Sequence, residues 1–82
     1  MTLKNAVNEL MDFSVAHECD LDVAYAKMAH EIKSGSRDFM SMDELNEARE
    51  FVRDVNNYKI VVEARKSGDD TDYDAALTEW QS

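Results

Sequence analysis

The residues best suited to chemistry crowd one end of this chain, "SGDDTDYDAALTEWQS". Asp69, Asp70, Asp72 and Asp74 fall within six residues, and oxygen ligands at alternating positions are what a calcium loop supplies. Counted from Asp70, Asp72 and Asp74 take positions three and five. Position six is then Ala75, where the turn requires glycine, and position twelve is Gln81, where a bidentate glutamate belongs. The calcium reading fails at both diagnostic places, and the aspartates read better as helix-start residues and a solvated acidic end. Zinc would have to use His17, Cys19 and His30. Their H-x-C spacing with a distant histidine matches no structural zinc site, and a fourth ligand would have to be a carboxylate. Surface or boundary histidines are the simpler account. A nucleophile needs a base beside it and an oxyanion site, and two histidines with no glycine-rich turn provide neither. No catalytic, cofactor-binding or metal-binding residue is assigned, and the chain reads as non-enzymatic.

Charge narrows the partners. Eighteen acidic residues against nine Lys and Arg give a formal charge of −9. Direct nucleic-acid binding is disfavoured, because neutralising phosphates takes clustered cations. An acidic surface instead favours solubility or a basic protein partner. Residues 69–82 carry five acids and no Lys or Arg, so an acidic DNA-mimic inhibitor of a nucleic-acid-binding enzyme is the alternative function. Elsewhere the acids alternate with Lys27, Arg49, Arg53, Lys59 and Arg65, and Glu50 stands three residues before Arg53, a pairing distance on a helix.

These groups must be positioned by helices. Thr2 is the expected cap of a first helix carrying Leu3, Val7, Leu10 and Met11 and ending around 16–18. Asp20 caps a second, whose Leu21, Ala24, Tyr25, Met28 and Ile32 recur on one face. Ser41 and Glu44 form a capping box, with Met40 and Leu45 placed as a hydrophobic staple, so a third helix starts there. Its pattern, Leu45, Ala48, Phe51, Val52, Val55, Tyr58 and Val62, continues toward Gly68 for about 25 residues, long against a usual range of roughly 8–20. The paired asparagines Asn56–Asn57 and β-branched Ile60–Val62 mark where it would kink. A short strand is the other reading of that stretch, but it would have no evident partner. Gly35 and Gly68 each follow a basic last turn, as at helix C-termini. Thr71 is the expected cap of a fourth helix bearing Tyr73, Ala76, Leu77 and Trp80. The expected fold is all-α, a single domain over 1–82 built as a small bundle of about four helices, the third long and kinked.

One cysteine excludes an internal disulfide framework and fits a reducing, cytoplasmic setting. No apolar stretch approaches the roughly 20 residues of a membrane span, and "MTLKNAVNELMDF" lacks the unbroken apolar run of a signal peptide. Phe39, Met40, Met42 and Trp80 are the candidate partner-binding residues. Methionine suits adaptable contact surfaces and tryptophan is enriched at binding hot spots. They either close the ends of the bundle or mark a surface for a partner or for a homo-oligomer.

From "MTLKNAVNELMDF" to "DAALTEWQS" the chain resembles the RIII lysis-inhibition accessory protein family of T-even phages. The resemblance covers the whole length and assigns no role to any single residue. It implies a small cytoplasmic phage protein that delays host lysis. Such a protein would contact the cytoplasmic part of the holin and reinforce its antiholin-bound state. A basic or amphipathic holin segment would suit helix-in-groove binding with acidic steering.

Overall fold

The computed structural model describes all 82 residues, Met1–Ser82. It is entirely helical: α1 Leu3–Ala16, α2 Leu21–Lys33, α3 Met42–Arg53, α4 Val55–Ser67 and α5 Thr71–Gln81. None of these is long and apolar enough to cross a membrane. The chain divides into two compact units, Met1–Arg49 and Glu50–Ser82, and the division falls inside α3.

In the first unit the expected starts are all found. The Thr2 hydroxyl accepts from the Asn5 amide at 3.2 Å and the Asp20 carboxylate from the Val23 amide at 2.8 Å. The capping box closes in both directions. Glu44 N–H donates to Ser41 Oγ at 3.2 Å and Ser41 N–H to Glu44 Oε1 at 2.8 Å, with Met40 and Leu45 both buried. α1 packs on α2, burying Val7, Leu10, Ala24 and Met28. Gly35, at φ 82°, ends α2 in a Schellman arrangement: its amide bonds Ile32 O, and the Ser36 amide bonds Glu31 O. α1 ends the same way without a glycine. Glu18 takes the left-handed position at φ 50°, with Cys19 N–H bonding Ser14 O. The α2–α3 connector is pinned by Arg37. Its guanidinium pairs with Glu31 at 2.8 Å and lies 5.5 Å from the Phe13 ring and 5.3 Å from the Phe39 ring. Arg49 on α3 reaches back to Asp22 on α2 and covers the Tyr25 ring, while the Tyr25 hydroxyl bonds Asn46.

The second unit corrects the long third helix. The chain breaks at Asp54, two residues before the expected kink, and the pieces are α3 and α4. There is no strand. Asp54 is a true helix cap: its carboxylate accepts from the Asn56 and Asn57 amides at 2.9 and 3.1 Å. The Asn57 carboxamide donates back to Phe51 O, a carbonyl at the end of α3, at 3.2 Å. Both loose helix ends are therefore satisfied by side chains, which is why an uninterrupted apolar pattern can be cut here at small cost. Removing the cap as Asp54→Ala should lower stability by about 1–2 kcal/mol. A thermal melt of that variant, followed by helical circular dichroism, checks the value; no change in midpoint would place the break elsewhere.

Breaking a helix resets its phase. Had it continued, Val55 and Tyr58 would have stayed on the buried face with Phe51 and Val52. They are instead 65 % and 40 % exposed, and α4 buries Val61 and Ala64. α4 packs on α5, where Tyr73 and Leu77 are buried. The Phe51 ring is fully buried, stacked at 6.4 Å on Tyr73 and met edge-on by Trp80 at 5.6 Å.

A second correction concerns the start of α5. Thr71 is its first residue, and Asp70 holds the cap position, though its carboxylate does not bond the amides of the first turn. The work is done by Asp69, whose carboxylate accepts from both the hydroxyl and the amide of Thr71, at 2.7 and 3.0 Å. Those two bonds, the hydroxyl's first, hold the Asp69 carboxyl below its ordinary pKa. Glu44 is held low chiefly by the Ser41 amide and next by the Met1 ammonium at 2.9 Å. A carboxyl depressed in the folded state binds fewer protons there than in the unfolded chain. Its stabilisation is full at neutral pH, fades as pH drops through the ordinary carboxylate range near about 4, and is gone below the depressed folded value. The double variant Glu44→Gln with Asp69→Asn should therefore flatten the acid side of the melting-temperature profile. An unchanged acid slope would show that neither carboxylate contributes.

Candidate partner-binding surface

The second unit carries the feature best suited to recognition, an open groove of ≈ 670 Å³ between α4 and α5. Trp80, Ile60 and Ala76 supply its apolar wall. Asp54, Asp72 and Glu79 supply carboxylates, and Asn56 and Asn57 add carboxamides. No Lys or Arg lines it. Each residue is there for a local reason. Asp54 is the α4 cap. Asp72 sits in the first turn of α5, where the helix dipole favours a negative charge. Trp80, at 41 % exposed, packs perpendicular to the Phe51 ring and leaves part of the indole open. Asp72, Ala76, Glu79 and Trp80 fall at spacings of three and four, so helix geometry alone gathers them on one side of α5.

Of the four residues singled out by sequence, the structure brings only Trp80 to this groove. Phe39 belongs to the first unit, is 54 % exposed, and is covered on one side by the Arg37 guanidinium. Met40 is 3 % exposed and lies in the core, and Met42 is half-buried at the start of α3. Sequence reading missed Asp54 and Ile60, because both were assigned to the interior of one long helix. An aspartate directly after Arg53, with two amide donors following, was the signal that could have found the first.

The other candidate ligands stay apart. Thr71–Gln81 is helix, so the acids counted for a calcium loop project around a rod and do not converge on an ion. The His17 ring lies flat on Phe13, centroids 4.0 Å apart. His17 and His30 both line a shallow cleft of the first unit with Lys27 and Glu31, and no group of three or more His, Cys, Asp or Glu side chains is placed to hold a metal. Cys19 is half-buried, and its carbonyl accepts from the Ser14 hydroxyl at 2.6 Å. Glu50 and Arg53 do pair, at 3.3 Å, on an exposed face where such a bridge contributes little. No protein-family model matches the chain, and neither the curated proteins nor the solved structures contain a match to it.

Proposed function

We propose that this chain is a non-enzymatic interaction module acting in the cytoplasm, and that its α4–α5 groove takes a basic, amphipathic segment of a partner protein. The observation that carries the reading is the composition of the groove: an apolar wall dominated by one tryptophan, three carboxylates, and no cation. A helix with Leu or Ile at i, i+3, i+4 and i+7 flanked by Lys or Arg is complementary to it in both respects. The resemblance to lysis-inhibition accessory proteins suggests the partner, the cytoplasmic part of a phage holin. The effect on that partner would be a population shift. Binding the antiholin-bound, non-pore-forming state more tightly than the pore-forming one delays lysis with no chemical step, and a 100-fold difference in affinity corresponds to about 2.7 kcal/mol.

The acidic DNA-mimic reading is favoured by the same three carboxylates. It leaves the apolar wall without a use, and so ranks second. The chain's single tryptophan makes the test direct. A peptide of the holin's cytoplasmic segment, titrated into the protein, should shift Trp80 fluorescence with a micromolar midpoint. A flat titration, together with displacement of the protein from a nucleic-acid enzyme by duplex DNA, would favour the mimic instead.

A further inference from the structure

We infer that the groove also accepts the outer face of α4 from a second copy of this chain, so that the protein self-associates head to tail. The inference rests on the groove being a docking surface and adds an occupant drawn from the chain itself. α4 has two unlike sides. Asn57, Ile60 and Ala64 lie toward the groove and the buried side. Val55, Tyr58 and Val62, at spacings of three and four, lie roughly half a turn away. Val55 and Tyr58 are exposed and Val62 is half-buried. Lys59 and Lys66 stand four residues after Val55 and Val62, so both cations border this apolar stripe. The break at Asp54 creates the stripe, because it rotates Val55 and Tyr58 out of the core.

The stripe is therefore the kind of ligand the groove suits, an apolar ridge edged by lysines. The spacing also matches. Lys59 and Lys66 are seven residues apart on one side of α4, and Asp72 and Glu79 are seven residues apart on one side of α5. Each pair spans about 10 Å at 1.5 Å of rise per residue. One helix laid on the other can then pair both lysines with both carboxylates while Tyr58 and Val62 meet Trp80 and Ala76. Groove and stripe lie on opposite sides of the same helix, so the contact is heterologous and each added copy leaves one groove and one stripe free.

Sedimentation equilibrium across a concentration series tests this. The wild-type weight-average mass should climb past the dimer without levelling, and climb less in added salt. A stripe variant, Val55→Asp with Lys59→Glu, keeps the groove. A groove variant, Asp72→Asn with Trp80→Ala, keeps the stripe. Each alone should need at least about a ten-fold higher concentration to associate, a loss of 1.4 kcal/mol. Mixed, they retain one intact groove and one intact stripe between them, and should form a pair that grows no further. Variants that have simply unfolded are excluded by that pairing, since it requires both surfaces to be native. A wild-type chain that stays monomeric to about 1 mM, or a mixture that makes no pair, overturns the inference. If a basic amphipathic peptide still shifts Trp80 fluorescence in that case, only self-association falls; if it does not, the docking reading falls with it.

Discussion

Phe51→Ala should melt about 15–30 °C below the wild-type chain and leave the Glu50–Ser82 unit largely unfolded at 37 °C. Truncating a buried phenylalanine costs about 3–5 kcal/mol, and each kcal/mol moves the midpoint of a domain this size by roughly 4–8 °C. A chain of 82 residues holds roughly 4–12 kcal/mol in total at 0.05–0.15 kcal/mol per residue, so one side chain removes a large share. Phe51 is the expensive position because its ring ties α3 to both ends of α5. It is carried at the end of α3, it stacks on Tyr73 at the start of α5, and it meets Trp80 near the end of α5. The carbonyl of the same residue receives the Asn57 carboxamide that ties down the α3–α4 break. Phe51→Leu separates volume from aromatic geometry. It keeps most of the apolar bulk and should lose mainly the ring–ring term, about 0.5–1.5 kcal/mol per aromatic pair. Thermal melts read by circular dichroism and by Trp80 emission give both numbers. A Phe51→Ala variant within 1 kcal/mol of wild type would be incompatible with the packing described.

The contrast between the two units shows which physical signals survive in a linear sequence. Thr2, Asp20 and the Ser41–Glu44 box were legible because a cap is a local bargain: one side chain and an amide two or three residues on. α1 and α2 are bounded by such caps at both their starts, and their stripes needed no knowledge of anything distant. The end of α1 was placed correctly, although Glu18 in a left-handed conformation announces nothing by its type. At Asp54 two signals competed. The apolar residues from Leu45 to Val62 keep a period that one helix would satisfy, and that period outweighed a single aspartate. The asparagines were recognised as unfavourable to a continuous helix, but their use is specific: Asn57 donates to a carbonyl of the preceding helix, a bond across the break that spacing does not reveal. Shifting the break by two residues had a large consequence, since it changed which face of α4 is buried. At α5 the cap position is Asp70 and not Thr71, a shift of one residue that leaves the helix and its buried face unchanged. The groove was only partly visible for the same reason. Trp80 and its acidic neighbours share one helix, whereas Asp54 and Ile60 join them through α4, whose phase had been misread.

Trp80→Ala should weaken a basic amphipathic peptide by about 30-fold or more, the 2 kcal/mol or greater expected of a tryptophan hot spot, and almost all of that should appear in the dissociation rate. Asp72→Asn with Glu79→Gln should behave differently. These carboxylates are on exposed positions, where charge acts mainly through encounter, so the association rate should fall and the salt dependence flatten while dissociation changes less. The division of labour follows from where each group sits. The indole is anchored on Phe51 and presents a rigid apolar face that a partner can desolvate, whereas the acids remain solvated until contact and are screened beyond about 10 Å at 0.1 M salt. The DNA-mimic reading requires the reverse allocation, with affinity carried by charge and the tryptophan nearly silent. Stopped-flow binding of the two variants, using a labelled peptide because Trp80 is lost in one of them, separates the readings in a single set of traces. Loss of Trp80 also removes the edge contact with Phe51, so Trp80→Phe serves as the control. It should keep the fold and recover part of the affinity. Equal dissociation rates for wild type and Trp80→Ala, with binding abolished by the carboxylate changes alone, would transfer the function from a gripped helix to a mimicked phosphate backbone.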